Sequence, residues 1–140
     1  MFDGFTREND SDLRNALLNY GYAVMRAALA RALTAYGLLS AFGLHHASAT
    51  NAFNLADDMI EPFRPFVDAL ARERAEGRDM AESMTIDDRR FMVGVLTGNC
   101  CLGDETTTLL AATELVAESL IRAMEAGSPA LLRTPKLTGP

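Results

Sequence analysis

The chain has no tryptophan, two cysteines, two histidines and a single lysine, Lys136, so its positive charge is otherwise all arginine. Cys100 and Cys101 are adjacent, a spacing that rarely forms a disulfide without strain, and no CxxC pair offers a zinc site. They read as two reduced, buried thiols of a cytoplasmic protein. Positive charge is in the minority: 13 Lys and Arg stand against 19 Asp and Glu, for a formal charge of −6. The net field therefore does not advertise a nucleic-acid partner. So one-sided an arginine content reads as the bias of a GC-rich genome. No apolar run is long enough for a membrane span, because Asn19, Arg26 and Arg31 break the longest apolar region, around residues 16–44. The amino terminus, "MFDGFTREND", is acidic and has no signal-peptide core. There is no internal repeat and no low-complexity tract.

What is present suits one globular domain. The 140 residues are 49% hydrophobic and 23% charged, enough to bury a real core. "NDSDLRNALLNYGYAVMRAALARALTAYG" predicts a long first helix, capped by Asp10 or Ser11 and closed by Gly37. Leu13, Leu17, Tyr20, Val24 and Ala28 form one apolar stripe; Leu18, Tyr22, Met25, Leu29, Leu33 and Tyr36 form a second. Two stripes mean cover on more than one side and a central position. Asn15, Asn19 and Arg26 fall on what remains, and the expectation is either a hydrogen-bonded core network or a wall of a binding groove.

A second helix opens with "NAFNLADDMIE", and Pro62 or Pro65 must kink or restart it, since proline lacks a donor and clashes one turn back. "RDMAESM" reads as a polar linker, and Thr85 can cap a third helix, "IDDRRFMVGVL". Gly98 to Gly103 makes a turn with a little extended chain. A fourth helix follows, with Leu109, Leu110, Thr113, Val116, Ala117 and Leu120 inward. The fold class expected is all-α: a helical bundle with one long central helix and a proline-kinked second helix. The helical core covers 10–126, and 127–140 is an extended or frayed tail.

The chemistry-bearing residues gather in "GLHHASATNAFNLADDMIEPFRP", residues 43–65. Residues three and four apart share a helix face, so Asn54, Asp58 and Glu61 line up, with Asp57 to one side. Clustered carboxylates suit a hard divalent cation such as magnesium or manganese, and a neutral imidazole from the preceding loop can add a nitrogen ligand. The plainer reading is that the acids are dipole-stabilising surface groups and the histidines ordinary loop residues. Arg64 either contacts DNA phosphate or pairs with Glu61 or Asp68 to hold the kinked helix. Tyr20 reads as core, whereas Tyr22 is open between packing and base stacking.

Three ordered blocks, "LNYGY" (18–22), "GLHH" (43–46) and "NAFNLADDMIEPFRPFVD" (51–68), resemble the CRISPR-associated integrase of spacer acquisition, the universal adaptation nuclease, in its type II variant. The likeness runs over residues 10–137. It implies an α-helical catalytic lobe of an antiviral-defence enzyme, a divalent-metal-dependent DNA endonuclease/integrase that uses Mg2+ or Mn2+. Such enzymes cut or join DNA at CRISPR repeats beside a small ferredoxin-fold partner, and a homodimer is a further implied partner. Carried over by position, the catalytic histidine falls on His46 and the second catalytic acid on Glu61; Asp58 matches a further supporting acid. His45 and Asp57 are not required by the motif. Tyr22 and Arg64 are the DNA-binding candidates. The family's β-rich amino-terminal domain and its first catalytic glutamate lie upstream of the "LNYGY" helix; they are expected to be absent here, with Glu8 a poor substitute. The alternative function is a catalytically inactive helical fragment acting as a protein- or DNA-binding scaffold.

Overall fold

The computed structural model of the chain describes residues 12–37 and 56–137. Helix α1 (Leu13–Ala35) is the long central element, packed against each of the other three main helices. Its cap is Asp12, one or two residues later than expected: the carboxylate accepts from the backbone amides of Arg14 at 2.8 Å and Asn15 at 3.3 Å. Gly37 closes it with φ +71°, the left-handed turn that a glycine adopts without strain. Leu13, Leu17, Met25, Leu29 and Leu33 are fully buried. Asn15, Asn19 and Arg26 are exposed, which rules out the expected core network; Tyr36 is exposed too.

The two prolines restart the chain as expected. Residues 56–59 are helical, Ile60 breaks the run, a 3-10 turn covers Glu61–Phe63, and helix α2 spans Arg64–Ala75. Pro62 and Pro65 each sit in the first turn of their element, where an amide donor has no intrahelical acceptor to lose. Phe63, Phe66, Val67 and Ala71 turn inward to meet α1. The helices meet at Gly21. A Cβ there would stand 2.6 Å from Val67 Cγ1 and 2.9 Å from Met92 Cε, so the crossing exists because this residue has no side chain.

Helix α3 (Ile86–Val93) begins at Thr85 in a reciprocal capping box with Asp88. Asp88 has a second task. Its carboxylate is fully buried and accepts from Arg74 Nε at 2.7 Å, from both terminal nitrogens of Arg78 at 2.7 and 3.1 Å, and from the Thr85 amide at 2.8 Å. Arg74 also lies over the Phe91 ring at 5.1 Å. This ionic knot joins α2, the 76–85 connection and α3.

After a 3-10 turn (Gly94–Thr97), the extended chain expected near Gly98 is a hairpin, β1 (Asn99–Leu102) with β2 (Glu105–Thr108), paired antiparallel through Gly103 at φ +62°. Helix α4 (Leu109–Ala126) follows, capped by Thr108, with Ala112, Thr113, Val116 and Ala117 buried and Leu110 exposed rather than inward. Beyond it the chain is tied down. Lys136 exchanges two 2.8 Å backbone hydrogen bonds with Cys101, on the free side of β1, and the Arg133 amide donates to Ser119 Oγ at 3.0 Å. The chain is predominantly helical, and the hairpin is a minor addition.

Strand alternation separates the two cysteines. Cys100 is fully buried, and burial, reinforced by Cys101, pushes its thiol up; Cys101 is half-buried, not fully covered as expected. Since the thiolate is the reactive form, a disulfide reagent should label one thiol quickly in the native protein and both after denaturation. Peptide mass analysis is expected to place the fast label on Cys101; equal native rates at both sites would contradict this packing.

Candidate functional site

The acids of 57–61 leave their helical stretch in different states. Asp57 is held by Arg26 of α1 in a forked pair, with Nε at 2.7 Å and Nη2 at 3.2 Å. The same bond explains why Arg26 lies exposed on α1: its long stem carries the guanidinium out to an acid 31 residues later in the chain. Asp58 is exposed, and among the described residues it has no ion pair. Glu61 pairs with Arg64, three residues on, at 3.0 Å. That pair is open to water, with the side chains 73% and 44% exposed, so it is worth little as a stabilising contact.

Arg64 has a second contact. Its guanidinium lies over the Tyr22 ring, 4.8 Å from the centroid. The Tyr22 hydroxyl donates a short hydrogen bond to Asp68 of α2, so ring and hydroxyl are both engaged within the chain. Burial first, then the Asp68 carboxylate as acceptor and negative neighbour, push the Tyr22 hydroxyl up; Arg64 opposes both. Tyr20 is partly buried against the core, as expected.

Of the two readings of Arg64, the intramolecular pairing is the one the structure displays, with Glu61 as partner. Tyr22 packs against the core as well. His45, His46 and Asn54 lie outside the described residues, so the imagined meeting of His46 with Glu61 is not placed. Among the described residues no three His, Cys, Asp or Glu side chains gather as a metal-holding group. The donors that are placed are the two exposed carboxylates of Asp58 and Glu61, on either side of the break at Ile60.

Spacing could not have found the Tyr22–Asp68 bond, which joins residues 46 apart, or the Arg26–Asp57 fork across 31. The one signal for either was that both α1 residues are polar-tipped side chains beside apolar stripes. Elsewhere a hollow of about 300 Å3 is lined by Arg14, Arg72, Ala75, Glu76 and Met80. It contains none of these acids.

The family model of CRISPR associated protein Cas1 matches residues 1–111. The chain belongs to the Cas1 family. Among its relatives, the CRISPR-associated endonuclease Cas1 of Neisseria meningitidis serogroup C (strain 8013) is 42% identical over 115 residues, which cover 82% of this chain and 38% of that protein. The CRISPR-associated endonuclease Cas1 1 of Pyrobaculum aerophilum is 36% identical over 90 residues, 63% of this chain and 30% of that protein. This Cas1-family chain thus spans well under half the length of the curated relatives it matches. No solved structure matches it. Among the described residues, no helix is long and apolar enough to cross a membrane.

Proposed function

We propose that this chain carries part of the metal-binding face of a DNA endonuclease/integrase of CRISPR spacer acquisition, with His46, Asp58 and Glu61 as ligands for Mg2+ or Mn2+. The observation that supports the reading is the division of labour among the acids. Asp57 is committed to Arg26, while Asp58 and Glu61 stand exposed on either side of the break at Ile60, Glu61 opening the turn that contains Pro62. Two carboxylates with an imidazole form a donor set that suits a hard divalent cation. The name carried by both relatives supports the endonuclease reading.

A cation bound there supplies charge neutralisation at a phosphorus centre and activation of a nucleophile, water for cleavage or a DNA 3′-hydroxyl for joining. The rest falls to the protein. Asp58 and Glu61 provide oxygen ligands, and His46 provides nitrogen in its neutral form. The 3-10 turn at Glu61–Phe63, anchored by the buried Phe63, fixes where the Glu61 side chain leaves the backbone. The acids repel DNA phosphates until a cation is in place, which reconciles an acidic chain with a polyanionic substrate. DNA at CRISPR repeats, a small ferredoxin-fold partner and a second copy of the chain are the partners this reading brings with it, in the cytoplasm.

Calorimetric titration of Mn2+ tests the site directly. Binding is expected, and Glu61→Ala and His46→Ala should each weaken it by about tenfold or more, as changes in a metal's ligand environment do. Strand transfer on a repeat-containing duplex with Mn2+ is the companion assay, and any product should disappear in both variants. No heat from the wild type, and none lost on Glu61→Ala, would overturn the metal reading. The chain would then be a helical scaffold, identified as such if it shifts DNA or a partner protein without metal.

A further inference from the structure

We infer that Arg64 is a competing counter-cation for the proposed metal site: it occupies Glu61 when no metal is bound and withdraws onto the Tyr22–Asp68 pair when a divalent cation takes that carboxylate. The inference rests on the metal reading above and adds a residue that acts on metal affinity without being a ligand. Its basis is one guanidinium that pairs with Glu61 on one side and lies over the Tyr22 ring on the other. Glu61, in the 3-10 turn, lies three residues before Arg64, and Asp68, on α2, lies four residues after it, so both are near the same side chain. Arg64 is bonded to Glu61 at 3.0 Å while its guanidinium stacks at 4.8 Å over the Tyr22 ring. The hydroxyl of that ring is in turn held by Asp68.

The two ends of this arrangement differ in a way that gives it direction. The Glu61 carboxylate is 73% exposed and open to an incoming ion, so its bond to Arg64 is screened and easily exchanged. Tyr22 and Asp68 form a half-buried platform whose hydrogen bond does not involve Glu61. A metal arriving at Glu61 places a double positive charge beside Arg64, and repulsion then favours the other end, where a carboxylate and a π-face remain. Asp57 cannot substitute as the recipient, because Arg26 already holds it.

The sign of the expected effect separates this role from a structural one. If Arg64 merely held Glu61 in place, removing it would weaken metal binding. A competitor's removal strengthens it. By calorimetry, Mn2+ should bind Arg64→Ala about two- to fivefold more tightly than wild type, the span that corresponds to a water-exposed ion pair. Arg64→Lys keeps the charge and should return to the wild-type affinity. In a Mg2+ titration followed by NMR, the Arg64 Nε–Hε signal should move in the wild type, and Glu61→Gln should abolish that movement. Weaker or unchanged binding in Arg64→Ala, with wild-type binding intact, overturns the competitor role and leaves the metal site standing. Absence of binding in every variant overturns both.

Discussion

Gly21→Val is expected to cost the fold about 3 kcal/mol, and Gly21→Ala about 1 kcal/mol, in spite of alanine's better helix propensity. In an isolated helix the alanine change would stabilise by up to about 1 kcal/mol. Here the new methyl group would meet Val67 Cγ1 at 2.6 Å. Val67 is fully buried and β-branched, so it cannot turn away; Met92, at 2.9 Å, can move its terminal methyl more readily. The crossing must then open along α1 and α2, where much of the core lies. Denaturant unfolding followed by circular dichroism gives the costs. The diagnostic measurement is the double variant Gly21→Ala with Val67→Ala, which should be clearly more stable than the sum of the single losses, because the second change makes room for the first. Simple additivity would mean that the helices do not touch at this point.

Asp88→Ala should cost about 3 kcal/mol, the lower end of the range for removing one member of a buried ionic group. Two losses combine. Arg74 and Arg78 lose their shared acceptor, softened by their own exposures of 32% and 23%, and α3 loses half of its capping box. The pH dependence has a defined sign. Arg78 foremost, with the Thr85 amide and Arg74, holds the Asp88 carboxyl well below its ordinary 3.8, against the opposing effect of burial. A depressed acid stabilises the native state above its unfolded value and loses that contribution as the pH falls through the folded one. Wild-type stability should therefore decline from about pH 4 downward. Asp88→Asn should begin lower and flatten the decline, and parallel pH profiles for the two proteins would contradict the role assigned to this carboxylate.

These two residues also mark what local pattern could and could not foretell. The start of the helix at Thr85 was legible, and the capping box with Asp88 bears that out. That two arginines from 10 and 14 residues earlier converge on it was not, since the turn that returns them depends on how α2 and α3 pack. Gly21 falls between the two apolar stripes, and the spacing of those stripes gave α1 its central place. The reason for a missing side chain there lies on two other helices. The restart at Pro62 and Pro65 was fully readable, because proline's constraint is local. The polar residues of α1 were misjudged for the opposite reason: Arg26 is long enough to leave the helix surface, so its position on the wheel did not decide its burial. As for the site, the helix face expected to carry Asp58 and Glu61 together is broken at Ile60, while the Tyr22–Asp68 bond belongs to tertiary contacts.

The short exchange between Lys136 and Cys101 has a bearing on solution behaviour. Strand β1 has β2 along one flank and the returning chain along the other, so its central amide and carbonyl are already taken. A two-stranded ribbon with a bare inner flank invites another molecule to zip onto it. Here the segment around Lys136 fills that berth itself, which makes it a guard against clumping as well as a tail.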